Sequence, residues 1–301
     1  MEQSASPEAR TYRNVRLAMI AVLVLLTVSV LIERFNTDPH CWQGSISAYY
    51  YTPAHAVFVC SVLAIGVCMI VLKGSTTLEN VLLNIGGMFA PVVALVPTPG
   101  PGVCWSVDYT PSNASPNIAN NIAALFAAGV LGLLLSVWIR NDTKGKTNGT
   151  EDDGGARDER WGKAQDRALG ASSAILVVGV LWFALSRSSF ERNAHYVSAV
   201  AFFALIIWIV ALNALHAPRN PETGERLKVR VTWIYRTIAA LMLVFVGYGL
   251  LGWWRDWQYS LLRVEVALIL LFLAFWITQT KELWTPGVRP PDSVERVKAK
   301  T

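Results

Sequence analysis

Apolar residues run through this chain in long blocks, with the polar residues gathered between them. From Val15 to Ile32 the sequence reads VRLAMIAVLVLLTVSVLI, with one charge, Arg16, at its start. Seven further blocks follow: Pro53–Leu72, Val81–Pro97, Ile118–Ile139, Leu169–Leu185, His195–Leu215, Thr232–Leu251 and Leu261–Thr280. A bilayer core about 30 Å thick takes roughly 20 apolar residues of helix. The pattern therefore predicts an all-α fold, a polytopic transmembrane bundle of eight spans. The third block is the weakest, being short and carrying Gly86, Gly87 and Pro91. A helix there is expected to be kinked or shielded by neighbours.

The polar stretches divide the chain into a tail over 1–14, spans one to four over 15–139, a linker over 140–168, spans five to eight over 169–280, and a second tail over 281–301. The linker contains NDTKGKTNGTEDDGGARDERWGKAQD, too polar to bury a core, and is expected to be disordered. All eight spans form one membrane domain.

Lysine and arginine placement orients the bundle, because these residues accumulate on the cytoplasmic side. With the N-terminus inside and eight crossings, 21 of the 26 fall on the cytoplasmic side. The other five are Arg34, Arg187, Arg192, Arg255 and Arg263. Omitting one span would scramble the asymmetry for everything after it, so both termini are expected in the cytoplasm.

Composition sharpens the picture. The chain is 53% hydrophobic and 16% charged, against about 25% charged for a soluble domain. Its formal charge of +5 is spread between apolar runs rather than along one stripe, which argues against nucleic acid. Many of the 12 tryptophans stand at the ends of the runs, as an interfacial aromatic belt requires. The first run is too long for a signal peptide and no small-residue cleavage site follows it. The reading is a multi-pass protein of the cytoplasmic (plasma) membrane, with membrane lipids as its surroundings.

The candidate chemistry lies at the outer ends of the spans. In SISAYYYTPAH (Ser45 to His55), Thr52 is placed as an N-cap and Pro53 as the first helical residue of span two. That puts Tyr49, Tyr50 and Tyr51 at the outer interface, as an aromatic anchor or as the hydroxyl-rich lining of an outward-facing pocket. Thr76 and Glu79 fit a capping box opening span three at its inner end. Ionisable groups inside spans are functional candidates. Glu33, His55, His195 and Glu265 all fall on the outer side, Asn120 and Asn121 enter span four there, and Glu191 and His195 are spaced to share a helical face. The candidate outer pocket is Ser47, Tyr49, Tyr50, Tyr51, His55, His195 and Glu265, holding a small amphipathic ligand. No His-x-x-x-His pair links His40, His55 and His195, and no phosphate- or nucleotide-binding motif occurs, so neither metal nor cofactor is expected. Ala124, Ala128 and Gly132 repeat at four-residue spacing, a surface for close helix packing. Cys60 and Cys68 lie within span two, whereas Cys41 and Cys104 lie in outer loops and are natural disulfide partners. Their long loop would give about 4 kcal/mol of chain-entropy stabilisation.

SISAYYYTPAHAVFVCSVLAIGV, AHYVSAVAFFALI from Ala194 and VEVALILLFLAFWITQTKE from Val264 together resemble a group of uncharacterised multi-pass membrane proteins of bacteria, chiefly actinobacteria. The resemblance rests on Ser47, Tyr49, Tyr50, Tyr51, His195, Glu265 and Trp276, and implies an architecture rather than an activity. A looser likeness is to the alkaline ceramidase-like membrane hydrolases, which need a His-x-x-x-His pair that this chain lacks.

Three functions follow. The favoured one is a non-enzymatic protein that binds an amphipathic, lipid-like ligand from outside. A membrane-embedded lipid hydrolase or transferase would use Ser45 or Ser47 with His55 or His195, but no catalytic spacing supports it. A secondary transporter would show broken helices at matching positions of the two halves, which are absent from the pattern. The orientation is testable: alkaline phosphatase fused after Thr150 should be inactive and after Ser112 active, and the reverse would overturn it.

Overall fold

In lipid, backbone N–H and C=O groups find partners only within a helix or a closed barrel, and the apolar blocks take the first solution. The computed structural model describes residues 7–36, 42–98, 114–147, 155–216, 225–284 and 287. Among these are eight α-helices: α1 (Pro7–Asn36), α2 (His55–Val71), α3 (Thr77–Leu95), α4 (Ala114–Thr147), α5 (Gly155–Leu185), α6 (Arg187–His216), α7 (Glu225–Trp254) and α8 (Ser260–Glu282). A 3₁₀ helix, Ser47–Tyr51, precedes α2. All but α2 are long and apolar enough to cross a membrane. The chain is an integral, multi-pass membrane protein.

The faces of α1 show the physical reason. Met19, Leu23, Leu26 and Val30 form a buried stripe at helical spacing, while Leu17, Val24, Leu25, Val28, Leu31 and Ile32 are exposed. A helix that stays apolar on the side facing away from its core belongs in lipid.

Residues 1–111 with 195–301 form one compact unit, and 112–194 form another. In the first, α1 packs on α2 and α8, α2 packs on α3, and α7 packs on α8. A tight approach is that of α2 against α3. A Cβ added at Gly66 would stand 2.9 Å from the Gly87 carbonyl oxygen, and one at Gly87 would stand 2.6 Å from the Gly66 carbonyl oxygen. Pro91 lies inside α3 and has no N–H for the Gly87 carbonyl four residues earlier. That carbonyl is the one turned toward Gly66. The segment after α8 returns to α1, where Arg16 donates to the Gly287 carbonyl at 2.7 Å and Arg13 lies 4.6 Å over the Trp284 ring.

In the second unit α4 pairs with α5. Gly129 lies under Leu176, and Phe126 meets Phe183 and Phe190 edge-on. Arg140 and Asp166 form an ion pair between the two helices.

Several expectations are corrected here. The stretch over 140–168 is largely helical, since α4 continues to Thr147 and α5 begins at Gly155. Extending a formed helix needs no new nucleus, and the Lys, Arg, Glu, Gln and Ala of this stretch are good helix formers. Residues 148–154 lie outside the described residues. The small-residue contact of α4 is made by Gly129, whereas Ala124, Ala128 and Gly132 are exposed and nothing lies within 4 Å of a Cβ at Gly132. Span two starts later than Pro53, because residues 52–54 form a turn and the regular helix begins at His55. His40, Cys41 and Cys104 lie outside the described residues, and Cys60 and Cys68 are free thiols.

Gly87→Ala should force α2 and α3 apart and cost about 1–3 kcal/mol, as overpacking does. Gly132→Ala, open and helical, should gain about 0.5–1 kcal/mol from helix propensity. Thermal unfolding of the two variants in detergent checks the contrast; equal melting temperatures would refute the close approach.

Candidate functional site

The stretch from Ser45 to His55 folds on itself because every early N–H finds an acceptor close by. The Ser45 hydroxyl accepts from the Ala48 amide at 3.1 Å, and the Tyr49 amide donates to the Ile46 carbonyl at 3.1 Å. The Thr52 hydroxyl donates to the Tyr49 carbonyl at 2.8 Å and accepts from the Ala54 amide at 3.2 Å. Thr52, with its backbone extended, therefore ends the 3₁₀ helix and closes the turn before α2; the N-cap of α2 is Ala54, which makes no side-chain cap bond, so Thr52 is not the helix cap expected from sequence. The Nδ1 atom of His55 bonds to the Tyr50 carbonyl at 2.6 Å, and its ring meets that of Tyr50 edge-on at 4.2 Å.

One acceptor comes from far along the chain. The Ile46 amide, at the open N-terminal end of the 3₁₀ helix, donates to Oε2 of Glu265 on α8 at 2.5 Å, and the Ser47 amide bonds to the same carboxylate. Glu265 therefore does what an N-cap side chain does, from another helix. First-turn amides lack intrahelical partners, and a buried carboxylate needs donors. Each removes the other's deficit. The Tyr51 hydroxyl donates to the Thr98 carbonyl at 2.8 Å, fastening the stretch to the chain just beyond α3.

The tyrosines divide in role. Tyr49 and Tyr50 are 2% and 8% exposed, so their rings serve as core rather than as lipid-facing anchors. Burial pushes the Tyr49 phenol up, opposed by a hydrogen bond from the Gln43 backbone. Rings open to the surroundings are those of Trp253 and Trp254 at the end of α7, 80% and 71% exposed.

Beneath the 3₁₀ helix lies a cavity of about 50 Å³. Its walls are Leu23 and Leu26 of α1, Phe58, Val62 and Ile65 of α2, Val93 of α3, Ala199, Phe202 and Phe203 of α6, and Ile269 and Phe272 of α8. Ile46, Ser47 and Glu265 complete the lining. Of the seven residues singled out from sequence, the structure brings Ser47 and Glu265 together at this cavity. Tyr49, Tyr50, Tyr51 and His55 build the stretch above without lining it. His195 is buried on α6, where its Nδ1 bonds to the Val96 carbonyl at 2.6 Å. It thereby caps the C-terminal end of α3, whose last carbonyls lack helical donors. Glu191 pairs with Arg187 at 2.9 Å.

A second polar cluster escaped the sequence reading. Glu79 caps its own helix start as expected, with its amide donating to the Thr76 hydroxyl at 3.1 Å and its Oε2 accepting from the Ser75 amide at 2.7 Å. Its Oε1 also accepts from the side-chain amides of Asn213 at 2.7 Å and Gln279 at 3.3 Å. All three residues are buried, and they tie α3, α6 and α8 together. The available signal was an uncharged amide inside an apolar run, in ALNAL and WITQT, which carries the same burial cost as an ionisable group at smaller size.

Among the described residues no group of three His, Cys, Asp or Glu side chains is arranged to hold a metal. No known protein family, curated protein or solved structure matches the chain.

Proposed function

We propose that this protein binds an amphipathic, lipid-like molecule from the outer side of the plasma membrane, without catalysing a reaction on it. The observation that carries this reading is the cavity beneath the 3₁₀ helix, almost wholly hydrocarbon, with Ser47 and Glu265 among its lining residues. Small-molecule sites combine apolar walls with a few placed polar groups and usually enclose about 300–1,000 Å³, so this cavity would take a short segment of such a molecule and leave the rest outside it. In this reading the chain crosses eight times with both termini cytoplasmic, and the outer end holds the 3₁₀ helix. The resemblance to the bacterial membrane proteins with a Ser-x-Tyr-Tyr-Tyr motif belongs to the same proposal.

The hydrolase reading is weaker on geometry. A nucleophilic serine needs a base within hydrogen-bond reach. Here Ser45 is engaged by the Ala48 amide, and the Nδ1 atoms of His55 and His195 are engaged by backbone carbonyls. Nor does any described pair of broken helices favour transport.

Native mass spectrometry of the full chain released from cell membranes tests the proposal. The wild type should carry one bound small-molecule adduct. Ala199→Phe, which fills the cavity from α6, should lose most of it while remaining folded. Identical adduct spectra for the two proteins would overturn the reading.

A further inference from the structure

The walls of the cavity say which part of an amphipathic molecule enters it. Leu23, Phe58, Val62, Ile65, Phe202 and Phe272 line it from four helices, and none of these side chains carries a hydrogen-bonding atom. Glu265 also borders it, but the hydrogen bonds of its carboxyl run to the Ile46 and Ser47 amides of the stretch above. The lining is almost wholly hydrocarbon. A hydroxyl, amine or phosphate moved against such a lining gives up its hydrogen bonds to water and gains none in return. A methyl or methylene gives up no hydrogen bond and gains close contacts with the walls around it.

Size sets how much of the molecule enters. A water-sized group takes about 10–15 Å³ on this measure, so about 50 Å³ holds roughly three to five such groups, whatever their branching. We infer that the cavity takes the hydrocarbon end of the ligand, a few carbon atoms deep, and that the polar head stays outside it. The inference rests on the binding function proposed above and specifies which part of the ligand that site holds. The shared chemistry is an apolar chain end, which a short soluble amphiphile and a membrane lipid both present.

Photolabelling from the two ends of one chain tests this. The full chain in phosphatidylcholine nanodiscs is exposed to linear alcohols of six and of sixteen carbons, each carrying a diazirine beside the terminal methyl or beside the hydroxyl. The methyl-end probes should label cavity residues such as Phe58 and Ile269 at least about tenfold more than the hydroxyl-end probes of the same length. Ala199→Phe, which fills the space, should remove most of that labelling, while labelling of the exposed Val200 beside it persists. Should that variant fail to fold, the comparison of the two ends in the wild type still decides. Labelling by the six-carbon probe alone assigns a short soluble amphiphile. Labelling by the sixteen-carbon probe, with or without the shorter one, assigns a membrane lipid; either source upholds the inference. A smaller ratio, or stronger labelling from the hydroxyl end, would overturn it while leaving ligand binding intact. No labelling of the cavity by any probe would overturn the binding function itself.

Discussion

One end of the unit formed by residues 1–111 and 195–301 depends on the hydrogen bonds between a carboxylate on the last helix and the first amides of a 3₁₀ helix 219 residues earlier in the chain. A buried hydrogen bond contributes about 0.5–1.5 kcal/mol net, and leaving either partner unmet when buried costs about 1–3 kcal/mol. Neither Glu265 nor the Ile46–Ser47 backbone has a cheap alternative at this depth. Their pairing therefore fixes where the Ser45–His55 stretch sits, and that stretch closes the cavity. Tyr51 on Thr98 and His195 on Val96 extend the arrangement to the C-terminal end of α3.

The opposite end of the same unit is held by a matching device. Glu79 opens α3 and accepts from Asn213 and Gln279, so one carboxylate serves as helix cap and as the joint of three helices. Between the two polar ends the helices meet through small residues and hydrocarbon, as where Gly66 lies against Gly87. Lipid gives helices no hydrophobic drive to associate, so close packing and internal hydrogen bonds must hold them. An apolar void in such a unit forgoes packing contacts, and an occupant that fills it would restore them.

The helices were legible in the sequence because membrane spans are long and uniform, and their number follows from length and composition. The cap at Thr76 was legible too, since capping uses near neighbours in the chain; Thr52 instead closes a turn ahead of α2. What the sequence withheld were the long-range partners. Glu265 stood out as a carboxylate inside an apolar run, but nothing local shows that backbone amides rather than His195 satisfy it. The tyrosine run reads as interfacial by residue type, and only the fold over it reveals that Tyr49 and Tyr50 are core. Asn213 and Gln279 went unremarked because they carry no charge. The polar stretch between spans four and five misled for a related reason: low hydrophobicity excludes a core but does not exclude extension of helices already formed.

Amide hydrogen exchange at Ile46 and Ser47 tests the central interaction most directly. In the wild-type protein both amides should be protected. Glu265→Ala removes their acceptor and should speed their exchange at least about tenfold, the factor matching a loss of about 1.4 kcal/mol, while amides in the middle of α2 keep their rates. Unchanged exchange at Ile46 and Ser47 in that variant, with the α2 amides still protected, would contradict the account.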